Sequence, residues 1–323
     1  MTPPKNPPDI YDTLDPEVRE ILEWNAAHTA PAEADIDELR TRHGGMCAVF
    51  DIAPAPVASV TDLTVETTRR PASIRVYEPV DPAPSKGRPA LFFAHGGSWI
   101  VGSIHSHDNL CRQICAVTGV KVISAEYGLA PENPFPHQTE DVIRIYDWVV
   151  GHSDQLAIDT DLLILCGDSS GANLITVLMH ELKQRNQVMP VSQVLIYPSV
   201  ALFKHRSYPS WQTYRTGYLI GDASLTRTIQ HYLRDEAHFT DPRVSPLLYE
   251  DFSGQPPALV LTAEHDPIRD GGREYAAKLV NAGVPTRFVE YPGTLHGFLS
   301  CGRPAKQVQS ALDDIGTFVR HFI

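Results

Sequence analysis

From about residue 90 onward the chain alternates between short β-rich runs and amphipathic helical stretches. No other feature narrows the fold as much. Strand-like segments fall at 90–94, 121–125, 162–166, 193–197, 258–262 and 286–290, and helical patterns separate them at 107–117, 141–150, 172–184 and 273–282. A last helix carries apolar residues at Val308, Leu312, Ile315, Val319 and Phe322. Strands that alternate with helices pair in parallel, because each helix returns the chain to the edge where the next strand begins. Two further β-rich runs at 61–67 and 73–77 precede the alternation. The expectation is an α/β fold with a mostly parallel central sheet of about eight strands, flanked by helices.

Two stretches depart from this rhythm. Residues 201–252 are aromatic-rich and helical in places, and read as an insertion. Upstream, a proline-rich tail precedes a helix that Asp15 caps, with Pro16 at its first position and Val18, Ile21 and Leu22 as its buried stripe. A second helix is expected from Asp35 toward Cys47. The predicted organisation is an N-terminal helical cap segment (1–56), a core in two parts (57–200 and 253–323), and a cap insertion between them (201–252).

Composition excludes several classes of function. The 323 residues carry a net charge of −12, which repels a phosphate backbone and argues against nucleic acid as a partner. Ten acidic residues against four basic ones crowd the first 45 positions, a pattern that reads as the solvated face of surface helices. The apolar runs are strand-sized, so no membrane insertion is expected, and the start of the chain has no apolar signal segment. Five scattered cysteines form no disulfide framework. A cytoplasmic protein, monomeric or homodimeric, is the expectation.

The chemistry centres on Gly167-Asp168-Ser169-Ser170-Gly171, the one Gly-x-Ser-x-Gly in the chain. A strand pattern precedes it and a helix pattern follows, the context in which a strained turn exposes a serine hydroxyl. The alternative is a glycine-rich turn with no catalytic part. A serine nucleophile needs a base and an acid to orient that base, and in strand–turn–helix hydrolases the acid precedes the histidine. Downstream of the insertion stand His265, His296 and His321. His265 directly precedes the favoured acid, Asp266, and His321 lies in the terminal helix, so position elects His296, just past the last strand. Glu264, Asp266 and Asp270 compete for the acid. Asp266, before a strand-ending proline, is favoured and Glu264 is the alternative, while Asp270 reads as the start of the next helix. Gly96, Gly97 and Ser98 follow the 90–94 strand and, with Ser170, form the candidate oxyanion hole. The amides of Gly97, Ser98 and Ser170 are its donors in this reading.

Five blocks carry a resemblance to the bacterial hormone-sensitive-lipase-like carboxylesterases of the α/β-hydrolase fold, from about Ala90 to the C-terminus. They are His95-Gly96-Gly97-Ser98-Trp99, Tyr127-Gly128-Leu129-Ala130-Pro131-Glu132, the segment 167–173, Asp266-Pro267-Ile268-Arg269-Asp270, and His296-Gly297-Phe298. Four positions depart from the family pattern: Ser98 and Ala172 stand for glycines, Ser170 for an alanine and Gly128 for an arginine. The resemblance implies an α/β-hydrolase fold with a helical cap and a cofactor-free serine hydrolase. It would cleave short-to-medium-chain carboxylic esters through Ser169, Asp266, His296 and an acyl-enzyme. His-Gly-Gly-x-Trp with Ser-x-Gly-Ala also resembles arylformamidases, so an amide or formamide hydrolase is the alternative. A non-enzymatic small-molecule receptor is a remoter one.

Other groups weigh less. Trp99, Trp211 and Tyr218 are the candidate substrate contacts, although the aromatics of the insertion (Phe203, Tyr208 and Tyr214 with them) serve equally well as packing. His105-Ser106-His107-Asp108 lacks a second cluster at metal-site spacing and reads as a helix cap; no metal is expected. Cys111, Cys115 and Cys166 read as small buried apolar residues.

Overall fold

Strand β5 (Ile158–Asp168) is the axis of the computed structural model, which describes residues 14–28, 35–67, 70–81 and 87–323. The proline-rich tail lies outside the described residues. The other strands are β1 (Ser59–Val65), β2 (Ala72–Glu78), β3 (Arg88–Ala94), β4 (Lys121–Glu126), β6 (Ser192–Ile196), β7 (Ala258–His265) and β8 (Thr286–Leu295). They form one eight-stranded sheet in the order β1-β2-β4-β3-β5-β6-β7-β8. β1 and β2 pair antiparallel with each other, and β2 with β4; every other pair is parallel.

Period-two alternation sends side chains of the central strands to both faces. Leu91 and Phe93 of β3, with Ile164 and Cys166 of β5, face helices α3 (Asp108–Thr118) and α9 (Ala305–Arg320) through Ile114, Leu312 and Ile315. Phe92 and Leu165 face the opposite layer, α4 (His137–Gly151), α5 (Ser170–Gln184) and α8 (Arg269–Asn281). Helices on both faces bury both sides of the sheet, so its strands read as continuous apolar runs. All five cysteines are buried and free. Among the described residues no helix is long and apolar enough to cross a membrane.

Helices α1 (Pro16–Ala27) and α2 (Ile36–Phe50) lie past the C-terminal end of β8. Val18, Ile21, Leu22 and Phe50 pack there on Leu295 and Cys301. Asp15 caps α1 by accepting from the Glu17 N–H at 2.9 Å. Arg40 fastens α2 to the core: its guanidinium donates to the Ile100 and Ala130 carbonyls, each at 3.1 Å, and to Glu132 at 2.7 Å. The 201–252 segment is a series of short helical turns, including α6 (Pro209–Tyr214) and α7 (Asp222–Arg227).

Candidate active site

The turn from β5 into α5 places Ser169 at φ 54°, ψ −119°, a conformation that costs an L-residue about 1–3 kcal/mol and persists only where the surroundings enforce it. They do so from two sides. The Ser169 N–H donates to the Ile196 carbonyl on β6 at 2.8 Å, and its carbonyl accepts from the Ser199 N–H at 3.2 Å. A Cβ at Gly171 would stand 2.0 Å from the Ala94 carbonyl oxygen, so the helix can approach β3 this closely only with glycine there.

Ser169 Oγ lies 2.8 Å from His296 Nε2, and His296 Nδ1 lies 2.8 Å from Asp266 Oδ2. Asp266 follows β7 and is fully buried, and its second oxygen accepts from the Ile268 N–H at 2.9 Å. The competing acids are otherwise engaged. Glu264 accepts from the Gly293 N–H at 2.8 Å. Asp270 accepts from the Ser210 N–H at 2.9 Å and so moors the inserted segment. His265 packs against Tyr214, and His321 is exposed at the end of α9.

The loop after β3 holds Gly97, Ser98 and Trp99 at φ 117°, 53° and 61°. Gly96, expected in the oxyanion-hole loop but not among its donors, has its N–H taken by Asp168 Oδ1 at 2.7 Å. Gly97 and Ser98 make no such bond among the described residues, and both line the cavity at Ser169. Ser170 is the first residue of α5, where backbone N–H groups have no intrahelical partner.

Asp168 also faces His107 Nε2 at 3.3 Å, with both side chains nearly fully buried. Burial opposes charge on each, but each outweighs it for the other: His107 is held above the ordinary histidine range and Asp168 below the ordinary carboxylate range. His95 and His43 flank His107 at ring distances of 5.5 and 6.3 Å. Burial lowers both, His43 to about 3, so the charge rests on the ring that meets the carboxylate. His107 is also the N-cap residue of α3, as the cap reading of 105–108 expects: its carbonyl accepts from the Cys111 N–H at 3.0 Å, its side chain makes no capping bond, and Asp108 binds Arg75, Tyr77 and Arg112.

Two cavities open at Ser169. The larger, about 160 Å³, is walled by α1 and α2 residues, the 97–101 loop, residues 219–227 and the 296–301 turn. The smaller, about 40 Å³, runs behind Ser169 past Ser170 to Trp99, Leu202, Trp211 and Ile268. Trp99 and Trp211 therefore stand where substrate contacts were expected. Tyr218 does not: it lines neither cavity and packs against Tyr214 at a ring distance of 5.0 Å. The aromatics of the insertion otherwise pack among themselves and on the core.

The serine, carboxylate and histidine sit on loops at one edge of a mostly parallel sheet, in that chain order, and this defines the class of α/β hydrolases. The chain belongs to that family: residues 91–300 match the family described as alpha/beta hydrolase fold. It is 38% identical over 256 residues to the ethyl acetate hydrolase of Pseudomonas putida, spanning 78% of this chain and 80% of that one. It is 33% identical over 298 residues to the arylesterase of Saccharolobus solfataricus, spanning 91% and 95%. Among solved structures, the hyperthermophilic esterase of the archaeon Pyrobaculum calidifontis superposes with a TM-score of 0.88 at 32% identity, over 95% of this chain and 98% of that one. An alpha/beta hydrolase from the metagenome of Lake Arreo gives a TM-score of 0.90, also at 32% identity, over 96% and 99%.

Proposed function

We propose that the protein hydrolyses short-to-medium-chain carboxylic esters through an acyl-enzyme on Ser169. The observation that carries this reading is the continuous relay of two 2.8 Å contacts, Ser169–His296–Asp266, opening into a cavity. Ser169 Oγ attacks the acyl carbon while His296 Nε2 takes its proton, and Asp266 holds the Nδ1–H and stabilises the imidazolium. The N–H groups of Gly97, Ser98 and Ser170 meet the oxyanion as it forms. Collapse breaks the acyl–oxygen bond, and His296 returns the proton to the departing alcohol. A water, deprotonated by His296, then releases the acid and restores Ser169. The relatives named ethyl acetate hydrolase and arylesterase support the same chemistry. Helices α1 and α2, together with residues 201–252, act in this reading as a cap over the sheet edge.

Acyl-chain length tests it. Each methylene buried in the smaller cavity contributes about 0.8 kcal/mol until the slot is full. The expected maximum in kcat/KM across p-nitrophenyl acetate, butyrate, octanoate and palmitate lies at acyl chains of about two to eight carbons. Palmitate as the best ester would overturn the chain-length claim. An N-formyl arylamine hydrolysed faster than every ester would make the protein a formamide hydrolase.

A further inference from the structure

The larger cavity carries a charge at odds with the rest of the molecule. The chain has a net charge of −12, yet two guanidiniums line this space: Arg42 from α2 and Arg227 from the last turn of α7, both half-buried. Among the described residues Asp168 is the one carboxylate in the lining, and it is already engaged by His107 and the Gly96 N–H. Among the described residues Arg42 is anchored by neutral groups, its Nε on the His28 carbonyl, its Nη2 on the Asn25 side-chain oxygen and its guanidinium over the Trp24 ring. Arg227 makes no hydrogen bond or ion pair among the described residues. The contrast with Arg40 is informative, since two positions before Arg42 it closes a fork on Glu132. Burial, and then Arg227 itself, lowers the pKa of Arg42, which is the signature of two like charges sharing one partly dry space. A pair of guanidiniums in that setting, with no carboxylate among the described residues to meet them, is a receptor for an anion.

The chemistry of the site says where on the substrate that anion belongs. His296 must protonate the leaving oxygen, so the leaving group lies on the His296 side of the scissile bond. His296, Gly297 and Ser300 line the larger cavity, and none of them lines the smaller. We propose that the enzyme selects esters whose alcohol or phenol portion carries a carboxylate, held between Arg42 and Arg227, with a small acyl group in the slot beside Trp211. This rests on the ester-hydrolase reading above. The reaction is then deacylation of an acylated hydroxy acid: the acyl–oxygen bond breaks, the Ser169 proton passes through His296 to the leaving oxygen, and water completes the acid.

The test compares phenyl acetate with 3-acetoxybenzoate, which share an acyl group and differ by a meta carboxylate on the leaving group. Wild-type enzyme is expected to favour the anionic ester by about tenfold or more in kcat/KM, the worth of one good charge-assisted contact. Arg227→Gln and Arg42→Gln should each lower that ratio at least about fivefold, chiefly through KM, with Arg227→Lys intermediate. Arg42 also joins α1 to α2, so if its variant fails to fold, Arg227→Gln alone decides. A wild-type ratio at or below one, or a ratio that Arg227→Gln leaves intact, would overturn the proposal. So would a stronger preference for phenyl hydrogen adipate over phenyl hexanoate, which would put the anion on the acyl side. Inertness toward all these esters, or hydrolysis surviving Ser169→Ala, would remove the ester-hydrolase reading and this inference with it; a wild-type enzyme without anionic preference but with Ser169-dependent hydrolysis would remove only the inference.

Discussion

Two regions meet at Ser169 and are held by different means. Below it, the edge of the sheet is locked by backbone: the Ser169 turn is bonded to β6, α5 presses on β3 at Gly171, and Asp266 is fixed by the Ile268 amide. Above it, the cavity walls come from two distant segments, α1–α2 and residues 219–227, attached by side chains such as Arg40 on Glu132 and Asp270 on the Ser210 N–H. Backbone locks tolerate few alternatives, whereas side-chain moorings can be redrawn one residue at a time. On the proposed reading, the edge fixes the reaction and the walls select what is allowed to undergo it.

The sharpest break between the regions lies in the proposed triad. Ser169→Ala and His296→Ala are each expected to lower kcat by roughly 10⁴ or more, because the remaining members cannot act alone. Asp266→Asn should cost at least about 10², while Glu264→Gln and His265→Ala stay within about threefold. Steady-state rates on p-nitrophenyl acetate, with circular dichroism to confirm folding, check all five variants. Equal damage from His265→Ala and His296→Ala would dissolve the distinction between edge and surroundings.

How much of this was legible in the sequence follows the same division. The turn at 167–171 could be read because its geometry demands particular residues: no side chain fits between α5 and β3 at Gly171. The acid was narrowed but not separated from Glu264, since only the structure sends Glu264 to the Gly293 amide. Element starts were read late. Helix α4 begins at His137 and α8 at Arg269, because their first turns carry no apolar period, and β8 runs on to Leu295 past a register shift after Ala263. His107 reads correctly as the start of α3, but its pairing with Asp168 gives no sequence signal, because Asp168 lies on another element. Arg42 and Arg227 gave no signal at all, since neither falls in a motif and only the folded walls bring them to one cavity.

The buried His107–Asp168 pair joins the two regions, and pH can weigh it. His107 is raised above its ordinary value of about 6.5, so the stability it contributes is fully present below that pH and is lost as pH rises through the higher folded value. Asp168 is depressed, so its contribution is present above about 3.9 and is lost as pH falls through the lower folded value. The melting temperature of the wild type should therefore exceed that of His107→Gln in the mildly acidic range, with the gap narrowing on the alkaline side. A gap that widens with rising pH would mean the histidine is buried neutral. Because Asp168 also holds the Gly96 amide, His107→Gln should lower kcat on phenyl acetate by about tenfold, less than any triad change.

The smallest effect expected is that of Ser98→Gly, at a position where edge and wall share one residue. Its φ of 53° is left-handed, a region that penalises a side chain and that glycine occupies freely. In the proposed mechanism Ser98 contributes its N–H, and its hydroxyl contributes at most about 1 kcal/mol. Ser98→Gly keeps the amide and relieves the backbone, so kcat/KM on phenyl acetate should stay within about threefold. Stability shifts little either way, because the relief in the folded turn is offset by the greater freedom of glycine in the unfolded chain. Ser98→Pro deletes the N–H and should lower kcat by about 10² or more, with circular dichroism to show that the loop change has not unfolded the chain. If Ser98→Gly instead loses tenfold or more while folded, the hydroxyl itself meets the substrate, and a residue assigned to the backbone-locked edge belongs with the selective walls.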